Sequence, residues 1–256
     1  MRRLLSAERH QRILERVAAE GAVDFSSLAE ELGVSSMTIR RDVRILEEAG
    51  HITTTRGGAS AQVTNSKDIL TNPRAQDQSL AKAQIGQFAA SLIEKGEVIF
   101  LGTGSTTAVF AQFLPSNLDL TVITPSLPHA SVLAARGINV ISTGGVVATV
   151  DMAQTGAIAQ EVLSRFFATR TVIGCGGVSK SGGLTEFDQV IADLNRVMVQ
   201  RTEEVMVLLD PSKTGVTANY RVAATDLVEE FITTTQGKSL LQKELGSSTR
   251  ILTPSA

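Results

Sequence analysis

The sequence predicts a two-part α/β protein, an N-terminal winged helix-turn-helix followed by a larger domain built on a largely parallel sheet. Three observations carry this. Between Val34 and Gly50, Ile39, Val43 and Leu46 recur at i, i+4 and i+7 behind a Gly-containing turn, while Thr38, Arg40, Arg41 and Arg44 project elsewhere. Directly after it, Ile52 to Thr55 are β-branched and Gly57-Gly58 favour a tight turn, the pattern of a β wing. Beyond residue 97, short apolar runs alternate with helical segments, as in a parallel sheet covered on both faces.

The bulk numbers fit that plan. A chain of 256 residues and 27.1 kDa with 43% hydrophobic and 20% charged residues has material for a substantial core. No apolar run reaches about 18 residues and the N-terminus is interrupted by charge, so neither a membrane span nor a secretory signal is expected and the cytoplasm is the expected location. Cys175 is the sole cysteine and the histidines His10, His51 and His129 are scattered, which argues against disulfides and a metal site. The net charge of −2 excludes a basic coat, yet the first sixty residues hold nine arginines against nine acids. Phosphate contacts need cations on one face rather than a basic average.

In chain order, Ser6 to Glu20 carries Ile13, Leu14, Val17 and Ala18 on a helical stripe that Gly21 stops. A short connection through Val23 and Asp24 leads to a helix over Ser26–Leu32, and Gly33 turns the chain into the next, which Ser35 and Ser36 can cap. The last two helices have helix-turn-helix spacing. Residues 59–78 are polar, lack periodicity and contain Pro73, reading as a linker that is partly strand. From Ser79 a helix places Ile85, Phe88, Ala89, Leu92 and Ile93 in register and ends at Gly96. Strands are expected at 98–101, 120–123, 140–141, 171–173, 205–209 and 227–233. Ser239 to Leu245 can form a short helix, and the last ten residues read as a loose tail.

Small, hydroxyl-rich loops follow five of these runs: Gly102 to Thr106, Thr124 to Ser126, Ser142 to Gly145, Gly174 to Gly177 and Asp210 to Lys213. In a parallel sheet all strand C-termini open on one edge, so the five are expected to converge on one site. The first loop runs straight into a helix, where backbone amides and the hydroxyls of Thr103, Ser105 and Thr106 can face an anion, and Lys213 adds a cation. Together these point to a phosphate-bearing ligand, with the hydroxyls suiting a sugar. A dinucleotide reading fails because Thr107 stands where the fingerprint wants glycine, and no GxxxxGK[ST] occurs.

The stretch LAEELGVSSMTIRRDVRILEEAGHITTTRGGA resembles the N-terminal domain of the DeoR family of bacterial sugar-metabolism regulators, through Ser35, Thr38 to Asp42, Leu46 and Gly57 to Ala59. The later loops, with Gly156, stand in the order of that family's C-terminal sensor domain, which is similar in fold to ribose-5-phosphate isomerase and binds phosphorylated sugars. This resemblance implies an output helix that meets the major groove through Ser35, Ser36, Thr38 and Arg40, with Arg41 and Arg44 as phosphate clamps and Arg56 reaching from the wing. Asp42 would be repelled by DNA and is read as an internal partner orienting Arg41 or a neighbour. The effector site would comprise Gly102, Thr103, Gly104, Ser105, Thr106, Thr124, Ser126, Gly144, Gly145, Gly176, Gly177, Glu186, Asn195 and Lys213.

Two departures stand out. Gly102 occupies a position where the regulators more often carry aspartate, so this loop looks more like the isomerase's. Asn195 stands where the family more often has lysine, which removes a cation unless Arg196 substitutes. The isomerase's acidic and glycine-rich catalytic segments are missing, leaving Glu186 and Asp188 as acceptors for sugar hydroxyls or as solvated charges. Cys175 reads as a small buried residue and His129 as a surface residue at a helix start.

The resulting expectation is a non-enzymatic, cytoplasmic DNA-binding regulator, a repressor of carbohydrate-metabolism genes controlled by a phosphorylated sugar, with no cofactor and no metal. An isomerase-like enzyme with an attached DNA-binding domain is the alternative. Residues 1–58 form the DNA-binding domain, 59–78 the linker, 79–236 the sensor and oligomerisation domain and 237–256 the tail. One recognition helix covers few bases, so the partners are a double-stranded operator and further copies of the chain in a homodimer or homotetramer, with half-sites about 34 Å apart or at multiples of that spacing.

Overall fold

A computed structural model describes residues 9–10, 12–13, 16–17, 22–48, 52–55, 58–61, 73–247 and 249–254. The chain divides into two units, Met1–Pro73 and Arg74–Ala256.

In the first unit, strand β1 (Ala22–Asp24) leads into helix α1 (Phe25–Leu32), and Asp24 caps that helix by accepting hydrogen bonds from the Ser26 and Ser27 amides at 2.9 and 2.8 Å. Gly33 ends α1 at φ 65°, a left-handed turn that glycine adopts without strain. Helix α2 (Ser36–Glu48) follows. Strands β2 (Ile52–Thr55) and β3 (Gly58–Ala61) pair antiparallel as the wing, and β1 joins β3 on its other side. The connection expected through Val23 and Asp24 is therefore a third strand. Gly58 is required there, because a Cβ would lie 2.2 Å from the Val23 carbonyl oxygen. Ile13, Val17, Phe25, Leu28, Leu32, Ile39, Val43, Leu46 and Ala59 form the core. Arg56 and Gly57 of the wing, and residues 62–72 of the linker, lie outside the described residues.

The second unit opens on helix α3 (Pro73–Ser91), six residues earlier than Ser79. Proline is well suited to the first turn of a helix, where its missing N–H goes unused. A seven-stranded parallel sheet follows, built from β4 (Val98–Leu101), β5 (Thr121–Thr124), β6 (Asn139–Ser142), β9 (Ala168–Ile173), β12 (Thr202–Leu208), β14 (Glu230–Ile232) and β15 (Ile251–Leu252). Their spatial order is β15-β14-β12-β9-β4-β5-β6. Side chains alternate across it. Ile99, Leu101, Val172, Met206, Leu208 and Ile232 pack on one face with α3, α4 (Ser105–Phe113) and α5 (Leu127–Ala135). Phe100, Ile173, Val207 and Phe231 pack on the other with α6 (Ala157–Ser164), α7 (Gln189–Gln200) and α8 (Thr235–Leu245).

The stretch expected to be a loose tail is corrected by β15, whose Ile251 and Leu252 pair with Phe231 and Ile232 at the sheet edge. Two smaller sheets are also present, the hairpin β7 (Val146–Val147) with β8 (Gln154–Thr155), and an antiparallel sheet of β10 (Gly177–Ser179), β11 (Gly183–Glu186) and β13 (Tyr220–Ala223). From β4 the chain runs outward through β5 and β6, then returns to the opposite side of β4 as β9. This reversal opens a crevice at the C-terminal ends of β4 and β9, where such sheets bind ligands.

Candidate functional sites

The outward face of α2 is set by what its inward face buries. Ile39, Val43 and Leu46 are buried, and Asp42 joins them at 3% exposure. At 100° per residue, the opposite side carries Met37, Arg41 and Arg44, with Ser36 and Arg40 on one flank and Thr38 and Ile45 on the other. Ser35 accepts a hydrogen bond from the Thr38 amide at 3.2 Å and exchanges one with its hydroxyl at 2.9 Å, which fixes the start of the helix. Arg40 lies over the Phe25 ring, 4.8 Å from its centre, and is thereby held toward α1.

Asp42 is an internal partner, but of different residues than expected. The Arg9 guanidinium donates to its two oxygens at 2.7 and 3.0 Å, and His10 Nε2 lies 3.1 Å away. Burial alone would raise the Asp42 pKa, yet the hydrogen bonds from Arg9 and His10 outweigh it and hold the carboxyl below its ordinary range. Arg41 instead borders a concavity with Arg9, Ser35, Met37, Thr38, Asp42 and Ile45. Met37 was not among the residues expected there, although its place one turn before Arg41 put it on the same stripe.

In the second unit a cavity of about 290 Å³ opens at the crevice between β4 and β9. The first wall is the loop after β4. Gly104 precedes α4 at φ 116° and no side chain caps the helix, so its first amides are left for another acceptor. Thr103, Gly104, Ser105 and Thr106 line the cavity, and the Thr103 hydroxyl is buried without a hydrogen-bond partner. The second wall is Gly174, Cys175 and Gly176 after β9, and the third is Asp210 and Lys213 after β12. Glu186 and Phe187 close the site from the end of β11, with the Lys213 ammonium 5.8 Å from the Phe187 ring centre.

Lys82 of α3 and Asp151 also reach this cavity, and neither was expected. Gly86 explains how α3 comes so near. A Cβ there would lie 2.7 Å from Val109 and 2.8 Å from the Phe110 amide, so its absence lets α3 ride closely on α4. Lys82, one turn earlier on the same face, is then level with the first turn of α4.

Burial pushes the Glu186 carboxyl up to about 7, against the pull of Lys213. Burial, reinforced by Glu186, pushes the Cys175 thiol up to about 12, which keeps it protonated and a poor nucleophile at neutral pH. Asp188 and Asp210 are engaged in capping, the first accepting from the Val190 amide at 2.8 Å and the second from the Ser212 amide at 3.0 Å.

Other candidates serve the frame rather than the wall. Gly102 packs beneath the first loop, where a Cβ would lie 2.8 Å from Ile173 and 3.3 Å from the Asn195 side-chain oxygen. Asn195 is thus 3% exposed under that loop, with its oxygen unpartnered. Arg196 is turned away, donating to the Arg221 carbonyl at 2.7 Å and pairing with Asp193, so it does not substitute for the missing cation. Thr124 accepts from the Ser126 amide, and Ser126 from the His129 amide at the start of α5. Gly144 and Gly145 have φ of 69° and 103°, and a Cβ on Gly145 would lie 2.4 Å from the Thr155 carbonyl oxygen. Gly177 has the same constraint against the Val216 carbonyl oxygen at 2.4 Å. Three of the five loops therefore meet at the cavity, and the two after β5 and β6 do not line it because those strands lie on the flank of the switch point.

His129 corrects its reading as a surface residue. It is 4% exposed, and burial lowers its pKa against the opposing effect of the Gly102 and Gly104 backbone, which accept from the ring. It thus supports the loop after β4 from behind. Among the described residues no cluster of three His, Cys, Asp or Glu side chains could hold a metal, and no helix is long and apolar enough to cross a membrane.

Comparison with known proteins adds two domain matches. Residues 9–65 match the DeoR-like helix-turn-helix domain and residues 77–235 the DeoR C terminal sensor domain. The L-fucose operon activator of Haemophilus influenzae is 31% identical over 80% of this chain and 82% of its own length. The glycerol-3-phosphate regulon repressor of Escherichia coli is 29% identical over 88% of this chain and 90% of its own. Among solved structures, ribose 5-phosphate isomerase A of Methanocaldococcus jannaschii aligns with a TM-score of 0.40 at 20% identity, covering 59% of this chain and 55% of that one.

Proposed function

This chain belongs to the DeoR family of transcriptional regulators, and from that membership we propose that it is a repressor of carbohydrate-metabolism genes released from DNA by a phosphorylated sugar. The observation that carries the ligand class is the uncapped start of α4, where free amides, the unpartnered Thr103 hydroxyl and the Ser105 and Thr106 hydroxyls belong to the same cavity wall as the Lys82 side chain. A phosphate dianion satisfies all of these at once. Across the cavity, Glu186 and Asp151 offer acceptors for sugar hydroxyls, and Lys213 offers a second cation. The isomerase alternative is set aside, since the relatives are named as transcriptional regulators.

On the DNA side, α2 lies in the major groove of the operator, with Arg41 and Arg44 on phosphates and Ser35, Ser36, Thr38 and Arg40 toward bases, and Arg56 contacts the adjacent backbone or minor groove. The homo-oligomer pairs two such heads. Release then follows from linkage. An effector that prefers one arrangement of the sensor shifts operator affinity roughly 5- to 150-fold for a coupling of about 1–3 kcal/mol.

The test is a thermal-shift panel of sugar phosphates against their unphosphorylated sugars, followed by operator binding and in vitro transcription with the hits. A phosphate-dependent shift that weakens operator binding and raises transcription is the expected result. A ligand that strengthens transcription only by tightening DNA binding would make the protein an activator. No response to any phosphosugar would refute the effector class.

A further inference from the structure

Among the described residues of the first unit, the large hydrophobic side chains left exposed are Met37 at 79% and Ile45 at 44%. Both belong to α2, the helix proposed to enter the groove. With Arg41 between them they form one stripe at i, i+4 and i+8, bordering a single concavity with Arg9, Ser35, Thr38 and Asp42. An apolar side chain on a face directed at a polyanion gains nothing from phosphates. The apolar group that the major groove offers is the C5 methyl of thymine.

Position separates the two side chains. Met37 is the second residue of α2, and in helix-turn-helix proteins the N-terminal residues of the recognition helix meet the base edges. Its thioether chain is long, flexible and polarisable, which suits it to close over a methyl group. The Ser35 to Thr38 hydrogen bonds fix the backbone from which it projects, and the Arg9–Asp42 pair fixes the floor of the concavity.

We infer that Met37 is a specificity-determining residue that reads a thymine by contact with its C5 methyl, with Arg41 one turn later holding the adjoining phosphate. This rests on the assignment of α2 to the major groove. One methyl removed from water by such a contact corresponds to about fourfold in affinity.

The experiment begins with selection of binding sites from random duplex DNA by the full-length protein. Each thymine of the selected half-site is then replaced by uracil, which removes only the methyl group, and affinities are measured for wild type, Met37→Ala and Met37→Leu. Melting curves establish that the variants fold. Wild type should lose about fourfold at one thymine, Met37→Ala should bind the thymine duplex correspondingly weakly and be indifferent to uracil at that position, and Met37→Leu should retain discrimination. A selected site with no uracil-sensitive position, or full discrimination in Met37→Ala, overturns the Met37 assignment while leaving sequence-specific binding intact. Failure of the wild type to select any sequence overturns that assignment together with the groove reading of α2.

Discussion

Replacing Asp42 by asparagine should unfold the DNA-binding unit well before the sensor unit. The carboxylate is 3% exposed and takes two hydrogen bonds from Arg9, whose side chain is 12% exposed, plus a contact at 3.1 Å from His10. Asparagine keeps the shape and one acceptor oxygen but removes the charge, so the Arg9 guanidinium loses this charged acceptor in a half-dry site. Breaking such a pair from one side costs about 3–5 kcal/mol when fully buried, and the access of Arg9 to water lowers this to roughly 2–3 kcal/mol. For a unit of this size that is a fall of roughly 8–24 °C in melting temperature.

Differential scanning calorimetry of the full chain reads this directly, as a downward shift of the transition assigned to residues 1–73 with the sensor transition unchanged. The pH dependence supplies a second signature. Because the folded carboxyl is held below its ordinary value of 3.8, its contribution is complete above that pH and disappears as pH falls through the folded value. Asp42→Asn should therefore lose that acid-sensitive component. A double-mutant cycle with Arg9→Met should show strong overlap between the two changes. Additive effects, or a shift below about 2 °C, would refute the buried-pair reasoning.

Other consequences concern the cavity, the DNA face and the sheet edge. If Glu186 accepts from a sugar hydroxyl, effector affinity should rise with pH through about 7 as the carboxyl ionises, and the part of that rise absent from Glu186→Gln isolates it from the phosphate's own titration. Isothermal titration across roughly pH 5 to 8, which spans a phosphate second pKa of about 6 as well as the Glu186 value, makes the comparison. Lys82→Met should abolish the advantage of a phosphosugar over its free sugar in the same titration, while leaving the apoprotein melting temperature within about 2 °C. Arg41→Ala, if it removes a phosphate contact, should weaken all duplexes alike and reduce the slope of log affinity against log salt by about 0.9. Truncation after residue 248 removes β15 and the buried Ile251, costing roughly 2 kcal/mol and lowering the sensor transition by about 4–8 °C.

Local signals made the helix-turn-helix and the parallel sheet readable from sequence. Ile39, Val43 and Leu46 are in fact the buried stripe of α2, and the apolar runs at 98–101 and 171–173 fall within the central strands β4 and β9. Features that depend on distant partners were not readable. Val23 and Asp24 carry too little pattern to announce a strand, and β1 exists because β3 supplies its hydrogen bonds. Ile251 and Leu252 likewise become a strand through the open edge of β14.

The same distinction governs the cavity. Hydroxyl-rich loops at strand ends pointed to the C-terminal edge of the sheet, where the cavity opens, but which loops meet there depends on strand order, and order follows from the chain returning to the far side of β4 after β6. Lys82 escaped notice because a lone lysine on a helix ordinarily reads as solvated surface. Its access to the site is created by Gly86, whose missing side chain brings α3 onto α4, so the informative residue was a glycine one turn away. That arrangement has a functional consequence for the proposed linkage. A ligand phosphate neutralised by Lys82 acts on α3, the helix through which the chain enters the sensor from the DNA-binding unit, whereas a ligand held by Lys213 alone would act on a loop after β12. Operator release measured at saturating phosphosugar separates coupling from affinity: Lys82→Met should fail to release even at saturation, whereas Lys213→Met should need more ligand yet release fully once saturated.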